Sequence, residues 1–246
     1  MSARAWTREA GAGRAEGRAH GSDINLRSAP QMAEYEAAAS RIALASHDHV
    51  LDWGCGYGQL TQMLRDRGVK VTSIDWDPEA NGVVTRPLPA YPDMEMLATS
   101  DPVLLPFDDG SFDAVLSMGV LEHVQDPGAS LDELARVLTP GGLVYCHKLP
   151  NRRSYLERIA KRIGAYHHGQ LEHDTLYTLP SAREIFERHG FDVLEARLTN
   201  MLPLTLPGRT ATAAAPAIWR ANRALSRVPG LNVVATNVDV IARSRR

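Results

Sequence analysis

The chain has 246 residues, 44% of them hydrophobic, which is enough to bury a full core in one domain of ordinary size. A formal net charge of −2 counts against nucleic acid or another polyanion as the main partner, and no apolar run has the length of a bilayer-spanning helix or the form of a secretory h-region. Cys55 and Cys146 are the only cysteines, so a disulfide framework is not expected and a cytoplasmic setting is. Residues 1–28 read as a mobile arm, because the stretch to Arg27 is rich in Gly, Ala and Arg and poor in large apolar side chains. Its arginines would suit a mitochondrial address, but Glu9, Glu16 and Asp23 count against one. Over residues 30–45, Met32, Tyr35, Ala39 and Ile42 recur at helical spacing, which predicts a helix packed on the first strand.

Next comes VLDWGCGYG (50–58), an apolar run that ends in an acid and is followed by three alternating glycines and the helix-like GQLTQMLRDRG. Glycine is required where a backbone turns sharply or approaches a ligand so closely that a Cβ would clash. Gly54, Gly56 and Gly58 therefore describe a strand-to-helix turn built around something. A dinucleotide fingerprint would read G-x-G-x-x-G, whereas this segment reads G-x-G-x-G with Gln59 at the last small position. Asp52 at the strand end would repel a phosphate but suit a ligand ammonium. The next β-type run, KVTSID (70–75), ends in Asp75, well placed for both hydroxyls of a ribose, and Trp76 adds a flat face for a purine. Residues 81–92 carry three prolines and predict an irregular wall. The weaker run 94–98 leads to Asp101, whose carboxylate could accept an exocyclic adenine amine, and residues 107–117 form a turn feeding another strand. Residues 141–147 read as a fifth strand, 154–163 and 181–189 as helices, 191–198 as a strand and 231–242 as the last one.

VLDWGCGYG (50–58), VTSIDWDPE (71–79), SDPVLLPFDDGSFDAVLSMGVLEHV (100–124) and LDELARVLTPGGLVY (131–145) together resemble the class I S-adenosylmethionine-dependent methyltransferases. Within them the chain is most similar to the branch that modifies quinones and natural products. The resemblance covers roughly residues 48–148. It implies a single α/β domain over residues 29–246, a Rossmann-like doubly wound sheet of seven strands with the last one antiparallel, and S-adenosyl-L-methionine as cofactor. It further implies that Asp52, Gly54 and Gly56 serve the methionine moiety, Asp75 the ribose and Asp101 the adenine, with Cys55, Trp76, Pro102 and Met118 completing the cofactor contacts. Residues 151–180 and 200–230 are then the segments that cover a substrate.

Methyl transfer to a hydroxyl calls for a base near the methyl group, and histidine has a suitable pKa. His123, in Leu121-Glu-His-Val, follows the fourth strand and is one candidate; the alternative is a histidine that only holds its loop. Ubiquinone-pathway O-methyltransferases carry a similar Glu-x-x-Glu-His segment associated with a divalent metal, but Gly119 stands here in place of the first acid. Glu122 and His123 alone do not make a site, and no metal is expected. His168, Glu172 and His173 match no standard metal spacing, and that stretch reads as a polar lid or solvated surface. His173 is the second candidate base, ahead of His147, whose strand position suits a buried structural histidine. In 200–229, Ile218, Ala221 and Leu225 share one helical face with Trp219 nearby, while Arg220, Arg223 and Arg227 line another. Such a helix packs on its own domain or makes weak contact with an anionic membrane surface. The expected activity is methylation of a small-molecule acceptor, at an oxygen of an apolar, lipid-like or natural-product substrate. The alternatives are C- or N-methylation of a sugar or other polar metabolite, and a regulatory subunit that binds the cofactor without catalysis.

Overall fold

In the computed structural model, residues 28–76, 94–164, 174–205 and 209–246 are described. The expectations for residues 1–27, for the proline-rich 81–92 and for His173 lie outside these residues. Seven strands form one sheet: β1 (Val50–Trp53), β2 (Val71–Trp76), β3 (Leu97–Thr99), β4 (Phe112–Met118), β5 (Leu138–Pro150), β6 (Phe191–Thr199) and β7 (Asn237–Ser244). Their order is β3-β2-β1-β4-β5-β7-β6. The first five run parallel, and β7 is inserted antiparallel between β5 and β6. The helices are α1 (Ala29–Leu44), α2 (Gln59–Arg65), α3 (Pro127–Val137), α4 (Tyr155–Arg162), α5 (Leu179–Arg188) and α6 (Arg209–Leu225).

Parallel strands need helical crossovers, which cover both faces of the sheet and leave the strands apolar throughout. Strand β1 is buried at every position. Alternation divides its residues between two cores. Leu51 and Trp53 join Val115, Val144 and Cys146 beneath Leu131 and Leu134 of α3 and Phe186 of α5. Val50 joins Ala114, Leu116 and Tyr145 beneath Met32, Ala39 and Ile42 of α1 and Met63 of α2. Helix α1 thus packs on the sheet through the residues that its periodicity singled out, apart from Tyr35, which is only partly buried.

Some boundaries differ from those expected. Strand β3 is only Leu97–Thr99, because Met94 is drawn inward against Gly58. Strand β5 begins at Leu138, ahead of the Gly141-Gly142 pair, with a register shift between Phe112 and Ala114 of its partner β4. Residues 231–236 are not strand: Asn232–Val234 is a single 3₁₀ turn whose Asn232 carbonyl accepts from the Ala235 N–H and whose Val233 carbonyl accepts from the Asn151 carboxamide, and pairing resumes at Asn237. The segment predicted as an apolar insertion is largely α6, which lies on α1. Among the described residues no helix is long and apolar enough to cross a membrane.

Candidate active site

Strand order reverses between β1 and β4, and open α/β sheets bind ligands in the crevice at that point, beyond the carboxyl ends of the strands. The glycine turn lies there. All three of its glycines have left-handed backbones, with φ of 74° at Gly54, 55° at Gly56 and 80° at Gly58. A Cβ on Gly54 would come within 2.2 Å of Val120 Cγ2 and one on Gly58 within 2.4 Å of Met94 Sδ, so these two are tightly enclosed by protein. Gly56 differs, because a Cβ there would meet nothing within 4 Å. Its N–H donates to Asp75 Oδ2 at 2.6 Å, and the Trp76 N–H donates to Asp75 Oδ1 at 2.8 Å. The carboxylate therefore anchors the turn to β2 and keeps further lone pairs beside the open face of Gly56. Burial raises the Asp75 carboxyl above its ordinary pKa, against the lowering effect of these two donors.

Asp52 has a structural task that its sequence context did not disclose. Gly58 is the N-cap of α2 and has no side chain to satisfy the exposed N–H groups of the first turn. Asp52 does so from the neighbouring strand: it accepts from the Thr61 hydroxyl at 2.6 Å and from the Thr61 backbone N–H, and Thr61 also meets Ser73 Oγ at 2.8 Å. Burial lifts the Asp52 carboxyl to about 6, helped by the nearby Asp75 charge, even though both Thr61 donors oppose the shift. Thr61 and Ser73 were missed because neither belongs to a recognisable motif.

The other predicted contacts are spread along the crevice. Trp76 is half-buried, and its indole N–H donates to the Ser100 carbonyl at 3.3 Å, joining the ends of β2 and β3. Asp101 and Pro102 are exposed just past β3, and Asp101 Oδ1 accepts from the N–H groups of Val103 and Leu104, which holds its carboxyl below the usual range. The Cys55 side chain is buried with Sγ 3.7 Å from Met96 Sδ, so only its backbone faces the turn. Burial pushes its thiol far up. Met118 ends β4, opposite His147 of β5.

Residues 51–146 match the family described as a methyltransferase domain. Over 98 residues the chain is 41% identical to an uncharacterized methyltransferase of Mycobacterium tuberculosis, a match covering 40% of this chain and 38% of that protein. Over 112 residues it is 38% identical to the ubiquinone biosynthesis O-methyltransferase of Xanthomonas oryzae pv. oryzae, covering 45% of this chain and 46% of that one. Over residues 51–146 the sequence is that of a methyltransferase domain. The match spans less than half the length of each of these relatives. The fold matches the 1,6-didemethyltoxoflavin-N1-methyltransferase of Burkholderia thailandensis, solved with S-adenosylhomocysteine, at a TM-score of 0.53 and 17% identity over 86% of this chain and 79% of that one.

The cofactor of this family is S-adenosylmethionine, and the crevice of this methyltransferase domain has the groups to hold it. The open face of Gly56 admits a ligand at backbone distance, Asp75 offers acceptors suited to a ribose diol, and Asp101 is an exposed carboxylate further along the strand ends. No phosphate-binding cluster of free N–H groups competes with them, because the Gly54 and Cys55 N–H groups are both spent on the Ile74 carbonyl.

The histidines occupy different places. His123 is exposed in the turn after β4, and its Nδ1 lies 2.9 Å from Asp174 Oδ1. Among the described residues no group of three or more metal-ligating side chains is gathered. His147 is buried on β5, as its strand position suggested, with Nδ1 3.3 Å from Asp239 Oδ2 on β7. It also lines a cavity of about 390 Å³ enclosed by α1, α6 and the ends of β4 to β7.

Proposed function

We propose that this chain transfers a methyl group from S-adenosylmethionine to an oxygen of a small-molecule acceptor. The observation that carries this reading is the Asp75 carboxylate bonded to Gly56 at the rim of an open turn, at the reversal point of the sheet. When bound, S-adenosylmethionine supplies a methyl on a sulfonium that is already activated, so the protein has to bind, align and deprotonate the acceptor. Asp52, Gly54, Cys55 and Gly56 serve the methionine end, Cys55 through its backbone. Asp75 and Trp76 serve the ribose and the adenine face, Asp101 and Pro102 the adenine edge, and Met118 the boundary with the acceptor. His123, oriented by Asp174, and His173, which precedes that aspartate, belong to the substrate-covering segment 151–180 and its border. The segment 200–230 supplies the other cover through Trp219 and Asn222 of α6.

The cavity has apolar walls at Ala37, Ala38, Met118, Leu198 and Trp219, which suit the body of a natural-product ring, and a polar floor. The test is to incubate the purified chain with methyl-labelled S-adenosylmethionine and a small-molecule extract of its source cells, with cofactor affinity measured in parallel by calorimetry. Label in a small-molecule product, with affinity lost in Asp75→Ala, is the expected result. Tight cofactor binding without any labelled product would instead identify a regulatory subunit, and unchanged affinity in Asp75→Ala would remove the site assignment.

A further inference from the structure

We propose that the cavity between α1, α6 and β5–β7 is the acceptor site, that it takes a compact, oxygen-rich phenol or enol, and that His147, paired with Asp239, is its general base. The proposal rests on the methyl-transfer reading above and names the substrate class and base that go with it.

Position comes first. In the sheet register Trp53 pairs with Ser117, and Met118 pairs with His147. From the glycine turn after Trp53, the path crosses Met118 of β4 and reaches His147 of β5 in two strand spacings, roughly 10 Å. An acceptor seated on His147 therefore lies across Met118 from the crevice where the cofactor fits. His123 is solvent-exposed and does not line the cavity, whereas His147 is nearly inaccessible to bulk water.

The lining then points to a polar ligand. Four buried side-chain polar atoms without a hydrogen-bond partner belong to residues of this one cavity: Glu34 Oε2, His147 Nε2, Thr199 Oγ1 and Ser226 Oγ. Buried polar groups are almost always satisfied, so a cluster of exceptions around one space indicates that a ligand or ordered water completes them. The four residues come from α1, β5, β6 and the chain just after α6, on different sides of the cavity. Of the three described non-glycine residues with left-handed backbones, Asn200 lines this space and Lys148 directly follows His147. Lys148, at the irregularity of β5, donates its N–H to Asp239 Oδ1 at 3.1 Å, and Asn200, at the end of β6, donates to Glu34 Oε1 at 2.5 Å. Backbone strain of this kind persists where surrounding structure holds it, and it clusters at functional sites.

The chemistry follows from the charges around His147. Asp239 Oδ2 receives His147 Nδ1 and Arg197 Nη2, both at 3.3 Å, while Oδ1 takes the Lys148 N–H. Burial works to raise the Asp239 carboxyl, but His147, Arg197 and the Lys148 N–H outweigh it and hold the group at about 2. A fixed carboxylate on Nδ1 keeps the proton there and leaves Nε2 as the free acceptor, which also stabilises the imidazolium formed when Nε2 takes a proton. A phenol, with pKa near 10, gives up its proton to an imidazole far more readily than an alcohol that ionises about as water does. The base therefore favours a phenolic or enolic hydroxyl. As an electron pair of the acceptor oxygen forms the new O–CH3 bond, the S–CH3 bond breaks with its electron pair left on sulfur. The hydroxyl proton passes to His147 Nε2, and the products are the methyl ether and S-adenosylhomocysteine. Exposed Arg223, stacked on Trp219 at 4.7 Å, and exposed Arg227 line the mouth and favour an acceptor with an anionic substituent there.

The test uses 4-nitrocatechol, a compact phenol whose ionisation is coloured, titrated into the full chain in the presence of S-adenosylhomocysteine. Wild-type protein is expected to bind it saturably and to ionise it at a pH where the free probe is mostly neutral. His147→Gln should bind the probe without that colour change. Ala37→Trp, which fills the cavity without touching the histidine, should lose probe binding. Both variants should keep S-adenosylmethionine affinity within about twofold and unfold at near wild-type temperature. Methyl transfer from labelled cofactor should fall about 10²-fold or more in His147→Gln, and Asp239→Asn should displace the acid limb of the kcat profile. No saturable binding by the wild type, equal ionisation in His147→Gln, or undiminished transfer in that variant would overturn the proposal. Failure of the wild type to bind S-adenosylmethionine at all would overturn the methyl-transfer reading instead.

Discussion

The three glycines of the turn have similar backbone angles, but alanine should affect them differently. At Gly54 the new methyl would collide with Val120, a branched side chain with little freedom to yield, so Gly54→Ala should cost several kcal/mol of stability, of the order seen for overpacking with added backbone strain. At Gly56 the space is open, and only the left-handed backbone is penalised, by about 1–2 kcal/mol. Gly56→Ala should therefore fold nearly normally in urea titrations while losing cofactor affinity, and a Gly56→Ala protein that binds S-adenosylmethionine as tightly as wild type would remove that glycine from the ligand surface. Asp52 gives a second expectation at this scale. Its carboxyl titrates near 6 in the folded chain and near 3.8 when unfolded, so between these values the native state holds more protons. The Asp52 contribution to stability therefore falls as pH rises through that window. Cofactor affinity should move the other way, climbing towards pH 7, because only the ionised carboxylate attracts the ligand ammonium. Calorimetry near pH 6 in buffers of different ionisation enthalpy should show proton release on binding, and Asp52→Asn should abolish that release.

Elements were legible in the sequence where their signal is local. The glycine turn, the acids near the ends of β1 and β2 and the apolar face of α1 are each written within a short stretch of chain, and each is found where its pattern indicated. The 3₁₀ turn at Asn232–Val234 was hidden, because an apolar run of that length reads equally as strand. The surroundings of His147 were hidden for a related reason: Asp239 lies 92 positions later and Glu34 113 positions earlier, and no spacing rule connects them. Helix α6 illustrates both sides. Its apolar positions Ile218, Ala221 and Leu225 are half-buried, and polar Asn222 is buried as deeply as Ala215. The Asn222 carboxamide accepts from the Leu202 N–H at 2.6 Å and donates to the Leu202 carbonyl at 3.3 Å, pinning the chain after β6 to the helix that walls the cavity. Asn222→Leu would leave both groups unpaired, at a cost of about 1–3 kcal/mol each if they stay buried. Hydrogen exchange should then rise in α6 and after β6 while the protection of β1 and β2 is unchanged; uniform loss of protection would mean that α6 is integral to the global fold.

At the scale of the whole molecule, the sheet separates two tasks along one edge. The ends of β1 to β3, within the matched segment 51–146, hold the residues proposed for the cofactor, while α1, α6 and the β5–β7 ends hold a cavity built mostly from residues outside that segment. Only β4 and β5 belong to both, through Met118 and His147. This division explains why the family was readable and the acceptor was not, since fold and cofactor residues recur across unrelated substrates. It also has a thermodynamic consequence. Saturation at one hundred times Kd stabilises the native state by about 2.7 kcal/mol, which for a chain of this size corresponds to roughly 5–10 °C in Tm. S-adenosylmethionine and S-adenosylhomocysteine should each produce such a shift, and Asp75→Ala should remove it. Because α1 and α6 contribute the acceptor side and not the cofactor side, Ala37→Trp should retain the cofactor shift in full. If filling the cavity also cancelled that shift, the two sites would have to overlap, and the separation along the sheet edge would be wrong.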